Sequence, residues 1–200
     1  MNVIYDPETG LHLPSPDQDL PERLKILAAL GLGAGLGPGP TGDAGAFATT
    51  ELTAHFDAFA ADLARAADLP YAMVNIVTDR QVFVGLHNPS GGDLPQVGRT
   101  MPRDYGYCPD VVDRKLPLVL PDVCAHPRFK GNPVVDKIGI RSYIGAPLIH
   151  EPTAIVLGTV CAVGPAARPQ SAGRAAWTLI TQHRDALMAF LTQHTGQPTN

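Results

Sequence analysis

Two apolar segments constrain the fold of this chain more than any other feature. Gly139-Ile-Arg-Ser-Tyr-Ile-Gly-Ala-Pro-Leu148 is followed ten residues later by Gly158-Thr-Val-Cys-Ala-Val163. Ile140, Tyr143, Ile144 and Leu148, then Ile155, Val156, Val160 and Val163, are the β-branched, aromatic and aliphatic types that fit a packed sheet. Between the two lies Ile149-His-Glu-Pro-Thr153, polar and proline-bearing, which suits a hairpin connection. Two central antiparallel strands then form the floor on which the other elements rest.

The remaining elements follow in order. Residues 1–19 hold four acidic residues and three prolines and read as a poorly ordered tail. Pro21 to Leu32 reads as a helix: Leu20, Leu24, Leu27 and Leu30 make an apolar stripe with Lys and Arg between. The glycine-rich stretch that follows, 33–46, reads as a linker. Ala48 to Leu69 is a longer helix, with Leu52, Phe56, Phe59 and Leu63 at helical spacing and Pro70 ending it. Tyr71 to Thr78 and Gln81 to Leu86 are strands around a short turn. His87 to Asp104 is loop by its Gly, Pro and Asn content. Cys108 to Arg114 is a short helix, since Pro109 and Asp110 suit its first turn. Leu116 to Leu120 is a strand, and Cys124 to Gly139 is a loop with a brief helix over Val134 to Ile138. Gln170 to Gln193 closes the chain as a helix with Trp177, Ile180, Leu187 and Leu191 on one side. The organisation is one domain over 20–195, comprising the helix 20–32, the linker 33–46 and a core over 47–195. A short tail, 196–200, follows. Hairpin-linked strands with helices at both ends imply an α+β fold on an antiparallel sheet.

Composition narrows the function class. A 200-residue chain buries a sizeable core without disulfide or metal staples. A net charge of −4 disfavours nucleic acid or an anionic membrane as the partner. Cys108, Cys124 and Cys161 are widely spaced and form no Cys-x-x-Cys pair, as expected of a reducing compartment. The acidic, proline-broken N-terminus is not the pattern of a signal peptide. The apolar run Thr153 to Ala167 is broken by Gly158, Gly164 and Pro165 and is too short to span a bilayer. The expected location is the cytoplasm.

The central segments Gly139–Leu148 and Leu157-Gly-Thr-Val-Cys161 resemble the GAF family of small-molecule sensor domains. Further pieces in the same order are Phe56-Asp57, Asp79-Arg-Gln-Val-Phe83, Tyr107-Cys108, Pro117-Leu-Val-Leu-Pro-Asp122, His126-Pro-Arg-Phe129 and Asn132-Pro133. The resemblance runs from about residue 20 to 190. It implies a six-stranded antiparallel sheet with helices packed on one face and a ligand pocket on the other, roofed by residues 87–138. Two positions depart from the family pattern. Gly164 stands where an aspartate is frequent, and His150-Glu-Pro-Thr153 replaces a glycine-rich turn.

The candidate ligand-binding residues are Tyr107, Cys108, Asp122, Phe129, Arg141 and Tyr143. Cys108, expected at the N-cap of its short helix, is the candidate redox residue, since helix N–H groups favour thiolate. Val111 and Val112 give it an equally ready place in a core. Cys161, mid-strand between Val160 and Val163, reads as packing. Cys124 is the other thiol weighed as a partner for Cys108, on condition that the Cα atoms lie within about 7 Å. Arg141 shares a strand face with Tyr143 and needs an anion, either Asp122 or a ligand carboxylate or phosphate. Asp122 equally suits a cap on the turn after it. Phe129 and Tyr107 line a pocket or plug it. Within the resemblance, a bilin would need a Cys-His dipeptide, which is absent, and a haem would need a histidine such as His87 or His126. No cofactor is named by these residues.

Three functions compete. The first is a non-enzymatic regulatory domain that binds an unidentified small molecule over its sheet and signals as a homodimer through its terminal helices. The second is a thiol redox sensor or reductase using Cys108. The third is a dimerisation module with a filled pocket. A cavity of about 300 Å³ or more separates the first from the third.

Overall fold

A computed structural model describes residues 4–5, 12–13, 17–32 and 49–195 of the chain. The linker expected over 33–46 and the tail 196–200 lie outside the described residues. The elements are β1 (Ile4–Tyr5), β2 (His12–Leu13), α1 (Leu20–Ala29), α2 (Thr50–Ala67), β3 (Tyr71–Val77), β4 (Arg80–His87) and β5 (Thr100–Pro102). They continue with α3 (Cys108–Arg114), β6 (Leu118–Leu120), α4 (Pro127–Lys130), α5 (Pro133–Ile138), β7 (Ser142–His150), β8 (Ile155–Gly164) and α6 (Gly173–Thr195). Among the described residues no helix is long and apolar enough to cross a membrane.

The main sheet is six-stranded and antiparallel, in the order β5-β4-β3-β8-β7-β6. The two segments singled out in the sequence are β7 and β8, paired from Ser142↔Gly164 to His150↔Ile155. They are buried on both faces, which explains why they read as near-continuous apolar runs. The sixth strand, β5, falls in the stretch read as loop. Its three residues are exposed or half-buried, and pairing with β4 holds them, so no apolar pattern marks it.

One face of the sheet carries α1, α2 and α6. Alternation turns Ala72, Val74 and Ile76 of β3, Ile144, Ala146 and Leu148 of β7, and Val160 and Ala162 of β8 toward Phe56, Leu63, Ile180, Leu187 and Leu191. Helix α2 starts at Thr49, whose hydroxyl accepts from Leu52 N at 3.2 Å, and its Phe56 backbone presses against Gly85 of β4 where a Cβ would collide. Trp177 does not share the buried stripe of α6 as expected. It is 44% exposed, because it sits a fraction of a turn away from Ile180, Leu187 and Leu191.

Helix α1 departs from a simple apolar stripe. Arg23 is its most buried side chain after Leu27, only 1% exposed. Its guanidinium donates to the carbonyls of Val156 and Val77 and pairs with Asp17, in the stretch expected to be a tail. Asp17 also takes Arg103 at 2.5 Å, so it ties α1 to the segment just after β5.

Candidate functional site

The opposite face of the sheet is covered by α3, α4 and α5 and the loops around them, and the candidate site lies between. Period-2 alternation points Tyr71, Met73 and Asn75 of β3, Tyr143 and Gly145 of β7, and Thr159, Cys161 and Val163 of β8 toward this lid. Register then sets their neighbours. Cys161 stands across from Met73 on one side and Gly145 on the other, and Tyr143 stands across from Val163.

Buried amides hold the lid at a fixed height. Asn132 donates to Gly106 O at 2.8 Å and accepts from Gly106 N at 2.9 Å, and it also caps α5. Gln81 donates to the carbonyls of Pro102 and Tyr105 at 2.9 and 2.7 Å and accepts from Asn75 at 2.9 Å. Satisfied in this way, both amides hold the half-buried loop that precedes α3.

That loop delivers Tyr107 and Cys108. Tyr107, not Cys108, is the N-cap of α3; Cys108 is the first helical residue. The Cys108 Sγ lies 3.6 Å from the Cys161 Sγ and 3.5 Å from the Tyr143 hydroxyl. Cys161 in turn is 4.0 Å from the Met73 Sδ. The thiol that meets Cys108 is therefore Cys161, which the sequence reading assigned to packing, and not Cys124. Strand alternation already put Cys161 on the face of Thr159 and Val163; the signal was present, but nothing local linked that face to α3.

The aromatic candidates converge behind the thiols. Tyr143 meets Tyr107 edge-on with centroids 5.3 Å apart, and Tyr107 meets Phe129 edge-on at 5.7 Å. The Tyr107 hydroxyl donates to Phe129 O at 3.1 Å. Tyr107, Cys108, Tyr143, Cys161, Met73 and Val163 line a cavity of about 40 Å³, while Phe129 supports Tyr107 from outside it. A drug-sized ligand needs roughly 300 Å³ or more, so side chains fill most of the space beneath this lid. His87 and His126, the histidines considered for a haem, are not among the lining residues.

Asp122 and Arg141 lie elsewhere. Arg141 donates through Nε and Nη2 to Asp122 at 2.9 to 3.1 Å, and Asp122 accepts from Cys124 N at 3.0 Å, capping the turn there. Both roles weighed for Asp122 are thus filled at once. The Arg141 guanidinium beside Asp122 holds its carboxyl below the usual range. The pair is partly exposed and away from the cavity.

Burial shapes the acidity of the buried groups. The hydrogen bond from Cys161 lowers Cys108 to about 7, against burial, which opposes it, and Thr159, Tyr143 and Asn75 add to the lowering. Cys161, having donated to Cys108, is pushed well above the usual thiol value, and burial adds to that. Burial foremost, with the adjoining sulfurs, pushes Tyr143 up as well, so its hydroxyl stays protonated. The arrangement is a pair of thiols in contact beside a phenol, in apolar surroundings.

The comparisons with known proteins agree on the fold. No curated protein sequence matches the chain. Among solved structures, the free methionine-R-sulfoxide reductase of Neisseria meningitidis is 18% identical, with a TM-score of 0.51 and coverage of 92% of this chain and 97% of that one. The GAF domain of the Acinetobacter phosphoenolpyruvate-protein phosphotransferase is 13% identical, with a TM-score of 0.52 and coverage of 89% and 96%. The type II free methionine-R-sulfoxide reductase of Thermoplasma acidophilum is 11% identical, with a TM-score of 0.51 and coverage of 72% and 94%. At such identities the likeness is one of architecture. The GAF domain family model matches residues 51–196, α2 through the end of α6, and by that match the chain belongs to the GAF domain family.

Proposed function

We propose that this GAF domain is a non-enzymatic regulatory domain that receives a molecule of a few heavy atoms between sheet and lid. The cavity of about 40 Å³ is partly open and falls short of the size that separates a drug-sized ligand site from a filled pocket, so the reading is narrowed to a smaller ligand. It is carried by the Cys108 and Cys161 thiols and the Tyr143 hydroxyl, which line an otherwise apolar space. A single water needs about 10–15 Å³ by this measure, so the space suits a ligand of two or three atoms and excludes nucleotides, haem and bilins. The event passes on through association with a second copy along the terminal helices, where the exposed Trp177 of α6 offers an aromatic anchor.

A thermal-shift screen graded by ligand size, run on reduced protein, tests this reading. Ligands of a few atoms raise the melting temperature, with ~2.7 kcal/mol of stabilisation at 100-fold the dissociation constant. Nucleotides and haem leave it unchanged. Stabilisation by a nucleotide or haem, or by no compound at all, overturns it.

A second reading, thiol-based turnover, is favoured by the Cys108–Cys161 contact and by two neighbours whose names are those of free methionine-R-sulfoxide reductases. Methionine sulfoxide is far larger than the cavity, and no charged side chain among the lining residues meets its ammonium or carboxylate. Methionine sulfoxide added with a dithiol reductant is expected to persist; its conversion to methionine would promote this reading over the first.

A further inference from the structure

We infer that Cys108 and Cys161 are a redox centre that closes into a disulfide when a hydroperoxide enters the cavity, stapling the lid to the sheet. The inference rests on the reading that the cavity admits a small molecule, and it names the chemistry of that molecule. Its ground is geometric. The two sulfurs are in van der Waals contact at 3.6 Å, both side chains are buried, and both open onto the same cavity. A disulfide needs about 2.05 Å, so the two sulfurs close by ~1.5 Å to bond. Cys108 begins α3 in the lid and Cys161 is central in β8, so the bond joins a lid helix to a central strand of the sheet.

The steps balance without a cofactor. The Cys108 thiolate attacks one peroxide oxygen, the O–O bond breaks, and Cys108 becomes a sulfenic acid while the departing oxygen leaves as water. The departing oxygen takes up the proton that Cys108 released on ionising, and the Tyr143 hydroxyl, 3.5 Å from the Cys108 Sγ, stays protonated and is placed to hydrogen-bond that oxygen. The Cys161 sulfur then attacks the sulfenic sulfur; the S–S bond forms, the S–O bond breaks and a second water leaves. Overall, two thiols and one hydrogen peroxide give one disulfide and two waters, the thiols supplying both electrons. The lowered pKa of Cys108, against the raised one of Cys161, assigns Cys108 the attacking role and Cys161 the resolving one. A cavity this size admits hydrogen peroxide but not a branched alkyl hydroperoxide.

The test treats fully reduced wild-type protein with hydrogen peroxide, alkylates it after denaturation and maps the peptides. The expected product links Cys108 to Cys161, has lost the mass of two hydrogens, and leaves Cys124 alkylated. Cys161→Ala is expected to stop at a Cys108 sulfenic acid that dimedone captures once the protein is denatured, and tert-butyl hydroperoxide is expected to react at least tenfold more slowly with wild type. A Cys124-containing disulfide, oxidation unaffected by Cys108→Ser, or intact thiols overturns the inference. Intact thiols together with a small non-oxidising ligand that shifts the melt would sink this inference alone. Intact thiols and a silent screen would sink the sensor reading as well. Because the wild-type map is the main readout, a variant that fails to fold does not blunt the test.

Discussion

The ring of Tyr143 lies across Gly145, two residues along the same face of β7, in space that any side chain at 145 would occupy. That vacancy lets the hydroxyl reach Cys108. Gly145→Ala puts a methyl where the phenol lies and so displaces it. The expected cost is about 1–3 kcal/mol from overpacking in a close-packed interior. Chemical denaturation measures it, and a changed near-ultraviolet circular dichroism signal reports the moved tyrosine. An unchanged aromatic spectrum would mean that Tyr143 does not depend on the glycine.

Asp17 is predicted to make stability acid-sensitive. Burial pushes its carboxyl up, but hydrogen bonds and charge from Arg23 and Arg103 outweigh that and hold it below the usual range. A carboxyl depressed in the folded state contributes stability that is present above the unfolded value of about 3.9 and is lost as pH falls through the folded one. Asp17→Asn leaves Arg23 buried without its anion, at an expected cost of about 3 kcal/mol at neutral pH. Melting temperatures of variant and wild type should stay apart from pH 7 to about 4 and draw together as the pH falls further. Parallel curves would contradict the assignment.

Cys108 and Cys161 should titrate as a pair. In a Cys124→Ser background, thiolate absorbance is expected to show a first ionisation at about 7, because Cys161 donates to Cys108. Cys161→Ala removes the donor and keeps the burial, so the midpoint moves upward. A midpoint indifferent to Cys161 would show that contact between the sulfurs is not what lowers it.

Trp177 is the site predicted to carry self-association. Light scattering on the eluting protein should give a dimer, and Trp177→Asp should shift it to monomer with little change in melting temperature, as the residue is 44% exposed. A monomeric wild type would end the proposal of signalling through a homodimer.

The sequence alone determined the central strands of the sheet, the long helix and the short helix that begins the lid. Short apolar runs bounded by turn residues marked β3, β4, β7 and β8, helical spacing marked α2, and Pro109 with Asp110 marked α3, because those signals lie within a few neighbouring residues. Four of the six candidate residues, Tyr107, Cys108, Phe129 and Tyr143, also gather beneath the lid. Only the tertiary structure decided how Cys108 is partnered, how little room the lid leaves, why β5 exists and why Arg23 points inward. Each depends on groups far apart in the chain: Cys161 is 53 residues from Cys108, and Val156 is 133 residues from Arg23. Local patterning chooses which face a side chain takes, whereas the distance between two faces follows from the register of the strands and the volume of everything packed between them.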